Sequence, residues 1–206
     1  MIAVIDYGVG NLFSLQSSLS AVGAESIITS RVEKIREADK ILLPGVGAFE
    51  DARRKLSLSG LDRVIVEEVK AGKPILGICL GMQMLFECSH EYGRHEGLGL
   101  LSGEVVGMEN RLPDSLMIPH IGWNSLSVKK AHPIFKYTKD GDFVYFVHSF
   151  YAEGCEDSLL ATTDYGREIT AAVAKDNITG MQFHPEKSGE VGLNILRAFA
   201  EWSYTK

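Results

Sequence analysis

The sequence predicts an α/β fold: an open, mostly parallel sheet with helices on both faces, joined by additional antiparallel strands in the C-terminal half. Over roughly the first hundred residues, short apolar runs alternate with stretches of helical periodicity, which requires crossover connections and therefore parallel strands. Beyond that point the runs become closely spaced strand-like segments separated by turn residues. The length of 206 residues, 45% hydrophobic and 23% charged, suits one well-cored domain and excludes a disordered chain.

Ile2 to Ile5 reads as a buried strand running into a turn at Tyr7-Gly8-Val9-Gly10. Leu12, Leu15, Leu19 and Val22 then share one helical face, and Gly23 is placed to end that helix. Ser26 to Thr29 is a second strand, and Ile41-Leu42-Leu43 a third that meets Pro44-Gly45. Leu61 to Val69 has the period of an amphipathic helix ending near Gly72. Pro74 to Cys79 is a fourth strand, and Leu80 to Glu87 is expected to continue as helix. In the second half, Val105-Val106, Ser125 to Val128, Phe143 to Val147, Leu159 to Thr163, Ile169 to Ala174 and Thr179 to Phe183 read as strands. A hairpin is expected around Lys175-Asp176-Asn177. Val191 to Tyr204 closes the chain as a helix with Val191, Ile195, Leu196, Phe199 and Trp202 on its apolar side. No internal repeat, linker or low-complexity stretch interrupts the chain, so residues 1–206 read as a single domain.

A net charge of −6 and the lack of a Lys/Arg block argue against binding to nucleic acid, and point to a small molecule or another protein as partner. No stretch approaches the roughly 20 apolar residues that span a bilayer. The opening MIAVIDYG meets Asp6 at once and lacks a basic flank, so it reads as a strand rather than a signal peptide. Cys79, Cys88 and Cys155 are too dispersed for a disulfide framework or a zinc ribbon, which fits a reducing, cytoplasmic setting. His90 and His95 flank a charged loop, and His120 and His148 lack ligands at metal spacing, so no metal site is expected. Gly8-Val9-Gly10 is not a dinucleotide fingerprint, because Phe13 stands where its third glycine belongs.

Three segments carry chemistry. In Gly77-Ile78-Cys79-Leu80-Gly81 a cysteine sits where a strand stops and a helix starts, with glycines at −2 and +2. A nucleophile on so sharp a turn projects from the sheet edge and needs small neighbours, and the helix N-terminus beneath it favours a thiolate. The Leu80 N–H would face the oxygen of a carbonyl under attack. Gln182-Phe183-His184-Pro185-Glu186 supplies a base and, two residues on, a carboxylate to orient it. Pro44-Gly45-Val46-Gly47-Ala48-Phe49 follows the third strand, and its two glycines let the peptides around Val46 rotate a backbone N–H toward an oxyanion.

These motifs resemble the class I, triad-type glutamine amidotransferases, and within them the glutaminase subunits of imidazole glycerol phosphate synthase. IDYGVGNL, LPGVGAFEDA, GICLGMQMLFE, PHIGWN, YFVHSFY and GMQFHPEKSG occur in that family's order from end to end of the chain. The resemblance implies a flavodoxin-like fold with Cys79 as nucleophile, His184 as general acid and base, and Glu186 as its orienter. It puts Val46, Gly47 and Leu80 at the oxyanion. Gly45, Gln83, Glu91 and the His148-Ser149-Phe150 segment fall at the glutamine substrate. Relatives often carry tyrosine where Phe150 stands, so a hydroxyl role is excluded there. His120, Trp123, Asn124 and Lys187 are expected on the side facing a partner. That partner would be a (β/α)₈-barrel cyclase subunit receiving ammonia, and no cofactor is implied. A glutaminase serving another biosynthetic synthase, a cysteine hydrolase of γ-glutamyl peptides and a non-enzymatic regulatory module remain open on the sequence alone.

Overall fold

The structure, a computed structural model, describes residues 1–109, 111–113 and 115–204. Four-residue strands built on short apolar runs are β1 (Ile2–Ile5), β2 (Ser26–Thr29), β3 (Lys40–Leu43) and β4 (Ile75–Ile78). β1 and β4 are buried along their whole length, as parallel strands covered on both faces must be. The crossovers carry α1 (Leu12–Ala21), α2 (Val32–Glu37), α3 (Phe49–Leu58) and α4 (Leu61–Lys70). α1 ends at Gly23 as expected: its φ is +73°, and the Ala24 N–H returns to the Leu19 carbonyl at 2.9 Å.

The expected helix over Leu80 to Glu87 is a correction. α5 spans only Leu80–Gln83, and the chain then turns into β5 (Cys88–Ser89). The reason is tertiary capture of the carbonyls that a longer helix would use. Met84 O accepts from the Leu98 N–H, Leu85 O from those of Leu100 and Leu101, and Phe86 O from that of Gly99. β5 joins β6 (His95–Glu96) and β7 (Glu104–Gly107) in a small side sheet.

The strand expected over Ser125 to Val128 starts earlier and is interrupted: β8 (His120–Ser125) takes in all of PHIGWN but its proline and is followed, past the buried Leu126, by β9 (Ser127–Val128). β10 (Phe143–His148) pairs with β8, and β11 (Phe150–Glu153) completes the side sheet. β12 (Leu159–Asp164), β13 (Glu168–Lys175) and β14 (Ile178–Met181) follow. The hairpin stands where it is expected, with Lys175 opposite Ile178 and Asp176 at a φ of +52°. The last helix, α6, runs Gly189–Glu201.

The main sheet has the order β2-β1-β3-β4-β14-β13-β12-β9. β2 through β14 are parallel, the five-strand order of a flavodoxin-like sheet, and the remaining three pair antiparallel. Alternation along β1 divides the core between the two faces. Ala3 and Ile5 pack with Ile35, Phe49, Leu56 and Ile65 of α2 to α4, whereas Ile2 and Val4 pack with Leu15, Leu19, Ile195 and Phe199 of α1 and α6. Among the described residues no helix is long and apolar enough to cross a membrane.

Candidate active site

The sheet order brings distant residues together. β14 lies beside β4 with Met181 opposite Ile78, and the ladder runs one step further through a 2.7 Å bond from the Cys79 N–H to the Met181 carbonyl. Gln182 and His184 therefore emerge beside Cys79 at the C-terminal edge of the sheet, where open α/β folds place their ligands.

Cys79 occupies a φ of +53° with ψ −112°, a conformation that costs a non-glycine residue about 1–3 kcal/mol and persists only when its surroundings over-determine it. Close packing does so here. A Cβ on Gly77 would stand 2.8 Å from Gly81 and Met82 backbone, and one on Gly81 only 1.9 Å from the Leu43 carbonyl oxygen. The glycines flanking the cysteine thus let the elbow press against β3. Leu80 is the first residue of α5, so its N–H has no helical acceptor. α5 is a single turn, and the contribution of a helix dipole at the sulfur is correspondingly smaller than a full helix would provide.

His184 is 3% exposed, and its Nδ1 lies 2.8 Å from Glu186 Oε1. Pro185 starts a short 3₁₀ turn that brings the carboxylate back under the ring. The other carboxylate oxygen, Oε2, is buried without a hydrogen-bond partner among the described residues. Burial opposes charging of His184, but hydrogen bonds and charge from the Cys79 sulfur and the Glu186 carboxylate outweigh it and hold the imidazolium up to about 9. The backbone is clamped as well: the His184 N–H donates to the Tyr145 carbonyl at 2.9 Å, and the Ser188 hydroxyl to the His184 carbonyl at 2.7 Å.

A cavity of about 390 Å³ opens above the sulfur, lined by Val46, Gly47, Cys79, Leu80, Gln83, Glu91, Tyr92, Pro119, Val147, His148, Ser149, Phe150, His184 and Lys187. A wider groove of about 650 Å³ between Met1, Lys40 and Arg197 is lined by neither Cys79 nor His184, so the chemistry of that pair belongs to the smaller one. Gln83 Nε2 donates to the Phe150 carbonyl and to Gln182 Oε1, both at 3.0 Å, which leaves its own Oε1 as the uncommitted group. Glu91 lines the cavity, but its Oε2 accepts from the Phe49 N–H at 2.5 Å and so closes the N-terminus of α3. The Ser149 carbonyl accepts from the Met108 N–H, and the Phe150 carbonyl faces His148 Nδ1 at 2.9 Å as well as Gln83.

Two expectations need correction. Gly45 was expected at the substrate, but it is buried behind the turn, where a Cβ would meet the Gly81 nitrogen at 2.7 Å and Leu80 Cβ at 2.9 Å. Its role is to let the turn and the elbow touch. His120 was expected on the partner-facing side, yet it is 2% exposed. Pairing of β8 with β10 sets it opposite His148, both rings pointing inward, with Nδ1 3.1 Å from His148 Nε2 and the ring stacked on Phe146 and Tyr165. Since the Phe150 carbonyl only accepts, His148 carries its proton on Nδ1 and accepts from His120. Burial, with smaller contributions from His120 and His184, drops His148 to about 3 despite the Phe150 carbonyl; burial alone drops His120 to about 4. Both rings are therefore neutral.

Trp123, by contrast, is 53% exposed, which excludes a core role; its ring meets Tyr145 edge-on, and Lys187 Nζ sits 5.7 Å from the same tyrosine ring. Asn124 is half-buried, its amide donating to the Asp164 carbonyl at 2.7 Å, so it ties β8 to the end of β12.

Two residues beside the sulfur escape the sequence reading. Gln182, fully buried, donates from Nε2 to Cys79 Sγ at 3.6 Å and links the sulfur to Gln83. It stands two residues before His184 in a stretch that the sequence reads as the end of a strand, the spacing that signals a shared face. The Tyr7 hydroxyl donates to the Pro44 carbonyl at 2.7 Å, pinning the start of the Val46 turn. Burial first, then the neighbouring Cys79, push that phenol well above its ordinary range.

Comparison with known proteins agrees with this chemistry. The chain is 52% identical to imidazole glycerol phosphate synthase subunit HisH of Caldanaerobacter subterraneus subsp. tengcongensis over 98% of both chains. It is 50% identical to the HisH subunit of Oceanobacillus iheyensis, again over 98% of each. Its fold matches a structure of PurLQS from Thermotoga maritima with a TM-score of 0.74 at 22% identity, covering 96% of both chains. The sequence model of the family described as glutamine amidotransferase class-I matches residues 3–201, and with that match and those relatives the chain belongs to the class I glutamine amidotransferases.

Proposed function

We propose that the chain, as one glutaminase domain, is the glutaminase subunit of a cytoplasmic imidazole glycerol phosphate synthase. It hydrolyses glutamine and delivers the ammonia to a separate (β/α)₈-barrel cyclase subunit. The observation that carries the reading is the meeting of Cys79, on its strained turn, with a His184 held by Glu186 above one cavity.

In this mechanism His184 takes the Cys79 proton and the sulfur attacks the glutamine side-chain carbonyl. The Leu80 N–H and an amide of the Val46–Gly47 turn stabilise the oxyanion, a contribution of about 3–4 kcal/mol per donor in comparable sites. As the tetrahedral intermediate collapses, His184 protonates the amide nitrogen, the C–N bond breaks and ammonia leaves. Water, deprotonated by His184, then hydrolyses the γ-glutamyl thioester and restores the thiol. Gln83 and the His148-Ser149-Phe150 segment hold the amino-acid end, with Glu91 as a further candidate for its ammonium group. Exposed Ile121 and Trp123 beside the cavity mouth, with Lys187, supply an apolar patch carrying one cation, suited to an aromatic-anchored interface with the cyclase.

The test mixes the chain with a cyclase subunit and compares nitrogen donors. Cys79→Ala is expected to abolish the glutamine-dependent reaction and leave the ammonium-dependent one intact. Loss of both, or of neither, overturns the assignment. Trp123→Ala is expected to weaken association by about tenfold or more without changing the fold, measured by calorimetric titration.

A further inference from the structure

A second cluster of reactive side chains lies outside the cavity, on the side sheet. β5 runs parallel to β7 with Cys88 opposite Glu104, and His90 follows Cys88 by two residues, held in the same ladder by a 2.9 Å bond from its N–H to the Val105 carbonyl. Cross-strand pairing and the two-residue period therefore put all three side chains on one face. His90 Nε2 lies 4.0 Å from Cys88 Sγ and 2.7 Å from Glu104 Oε2, and the three atoms all lie within 4.8 Å of one another. The sulfur comes from a residue only 5% exposed, while the imidazole and carboxylate stand at the solvent side. Spacing along the chain hides this group, because Glu104 arrives across the sheet.

We propose that Cys88, His90 and Glu104 form a binding site for a borderline-soft divalent transition ion of the Zn²⁺ class, with water completing its coordination. The donor set of one sulfur, one nitrogen and one oxygen selects such an ion over Mg²⁺ or Ca²⁺, which take oxygen ligands. Bonds of about 2.0–2.3 Å on a tetrahedral ion place donors about 3.3–3.7 Å apart, so every atom reaches its position by moving less than an ångström. On binding, the Cys88 S–H bond breaks and its proton passes to solvent as the sulfur–metal bond forms. His90 donates its Nε2 lone pair with the ring proton on Nδ1, and the Glu104 carboxylate donates an oxygen lone pair. The charges facing the site are Glu96, opposite Cys88 on β6, which favours a cation, and Arg94, whose charge acts on the sulfur and opposes one. Arg94 is itself paired with Glu96, is exposed and follows Gly93, so it is free to swing toward solvent.

Without a bound ion, His90 and Glu104 would be an ordinary surface pair, worth about 0–1 kcal/mol. Cobalt distinguishes the two. The chelator-treated full-length chain is titrated with Co²⁺ and followed by absorption. One equivalent per chain is expected to produce thiolate-to-cobalt charge transfer in the near ultraviolet and tetrahedral bands in the visible, both displaced by Zn²⁺. Cys88→Ser should remove the charge-transfer band, His90→Ala should weaken binding at least tenfold, and Arg94→Gln should tighten it. Cys79→Ser and Cys155→Ser should leave the signal unchanged. Absence of the bands, their survival in Cys88→Ser, or their loss in Cys79→Ser overturns the proposal, the last by placing the ion on the cavity thiol. Glu104→Gln, a surface substitution, is expected to weaken binding even if Cys88→Ser folds poorly; unchanged affinity there counts against the site.

Discussion

The two walls of the cavity are held in different ways. On one, a methyl group at Gly77 or Gly81 would strike backbone at 2.8 or 1.9 Å, and Cys79 has no room to leave its strained turn. On the other, Val46 is 40% exposed and Gly47, at a φ of +92°, would have nothing within 4 Å of an added Cβ. Close packing fixes the attacking atom, while the backbone meant to receive the developing charge keeps freedom to rotate. Only the anchor of that second wall is firm, through the Tyr7 bond to Pro44 and the contact of Gly45 with the elbow. A site of this kind is able to hold its nucleophile ready and still have its oxyanion geometry set from outside.

The largest effect should come from the tight wall. Gly81→Ala forces a backbone shift between β3 and the elbow, and is expected to cost about 3 kcal/mol or more with loss of glutaminase activity. The denaturant midpoint measures it. A variant as stable as the parent would mean that the elbow is not fixed by packing.

Glu186→Gln probes the same wall through protonation. The folded chain holds His184 at about 9, above the roughly 6.5 of an unfolded histidine, so the fold binds the extra proton. The stability from this group is complete below about pH 6.5 and is lost as pH rises through about 9. Removing the Glu186 charge lowers the imidazole toward its ordinary value. The stability gap between parent and variant should then be widest below pH 6.5 and shrink by pH 9, and the His184 titration followed by NMR should move down. The glutaminase rate should fall by about ten- to a hundredfold, less than removal of the base itself. An unmoved titration would show that the carboxylate does not hold the ring.

Much of this contrast is legible in the sequence. Glycines at −2 and +2 of Cys79 announce a tight elbow, and two glycines around Val46 announce a loose turn. Short apolar runs locate β1 to β4. α2 is hidden because six residues with two apolar positions show no period. α3 does carry a signal, its buried Phe49, Ala52 and Leu56 spaced by three and four, masked by the charged residues between them. What no local pattern contains is pairing across strands. It turns His120 inward against His148, sets Gln182 beside the Cys79 sulfur, and lets the 97–101 loop take carbonyls that would have lengthened α5.

The smallest expected effect belongs to the loose wall and gives the comparison its sharpest form. Gly47→Ala meets no atom, so its only cost is the backbone strain of a positive φ, about 1 kcal/mol, which the denaturant midpoint should show beside the larger loss of Gly81→Ala. The alanine biases the Val46–Gly47 peptide toward conformations with negative φ and so changes how often an N–H faces the cavity. Glutamine binding, which relies on Gln83 and the 148–150 segment, should be unaffected. The expected signature is therefore a several-fold fall in kcat at constant KM, because the lost interaction exists only once the oxyanion forms. A rise in KM with kcat unchanged would instead make the turn part of the substrate's resting contacts, and the two walls would no longer differ in kind.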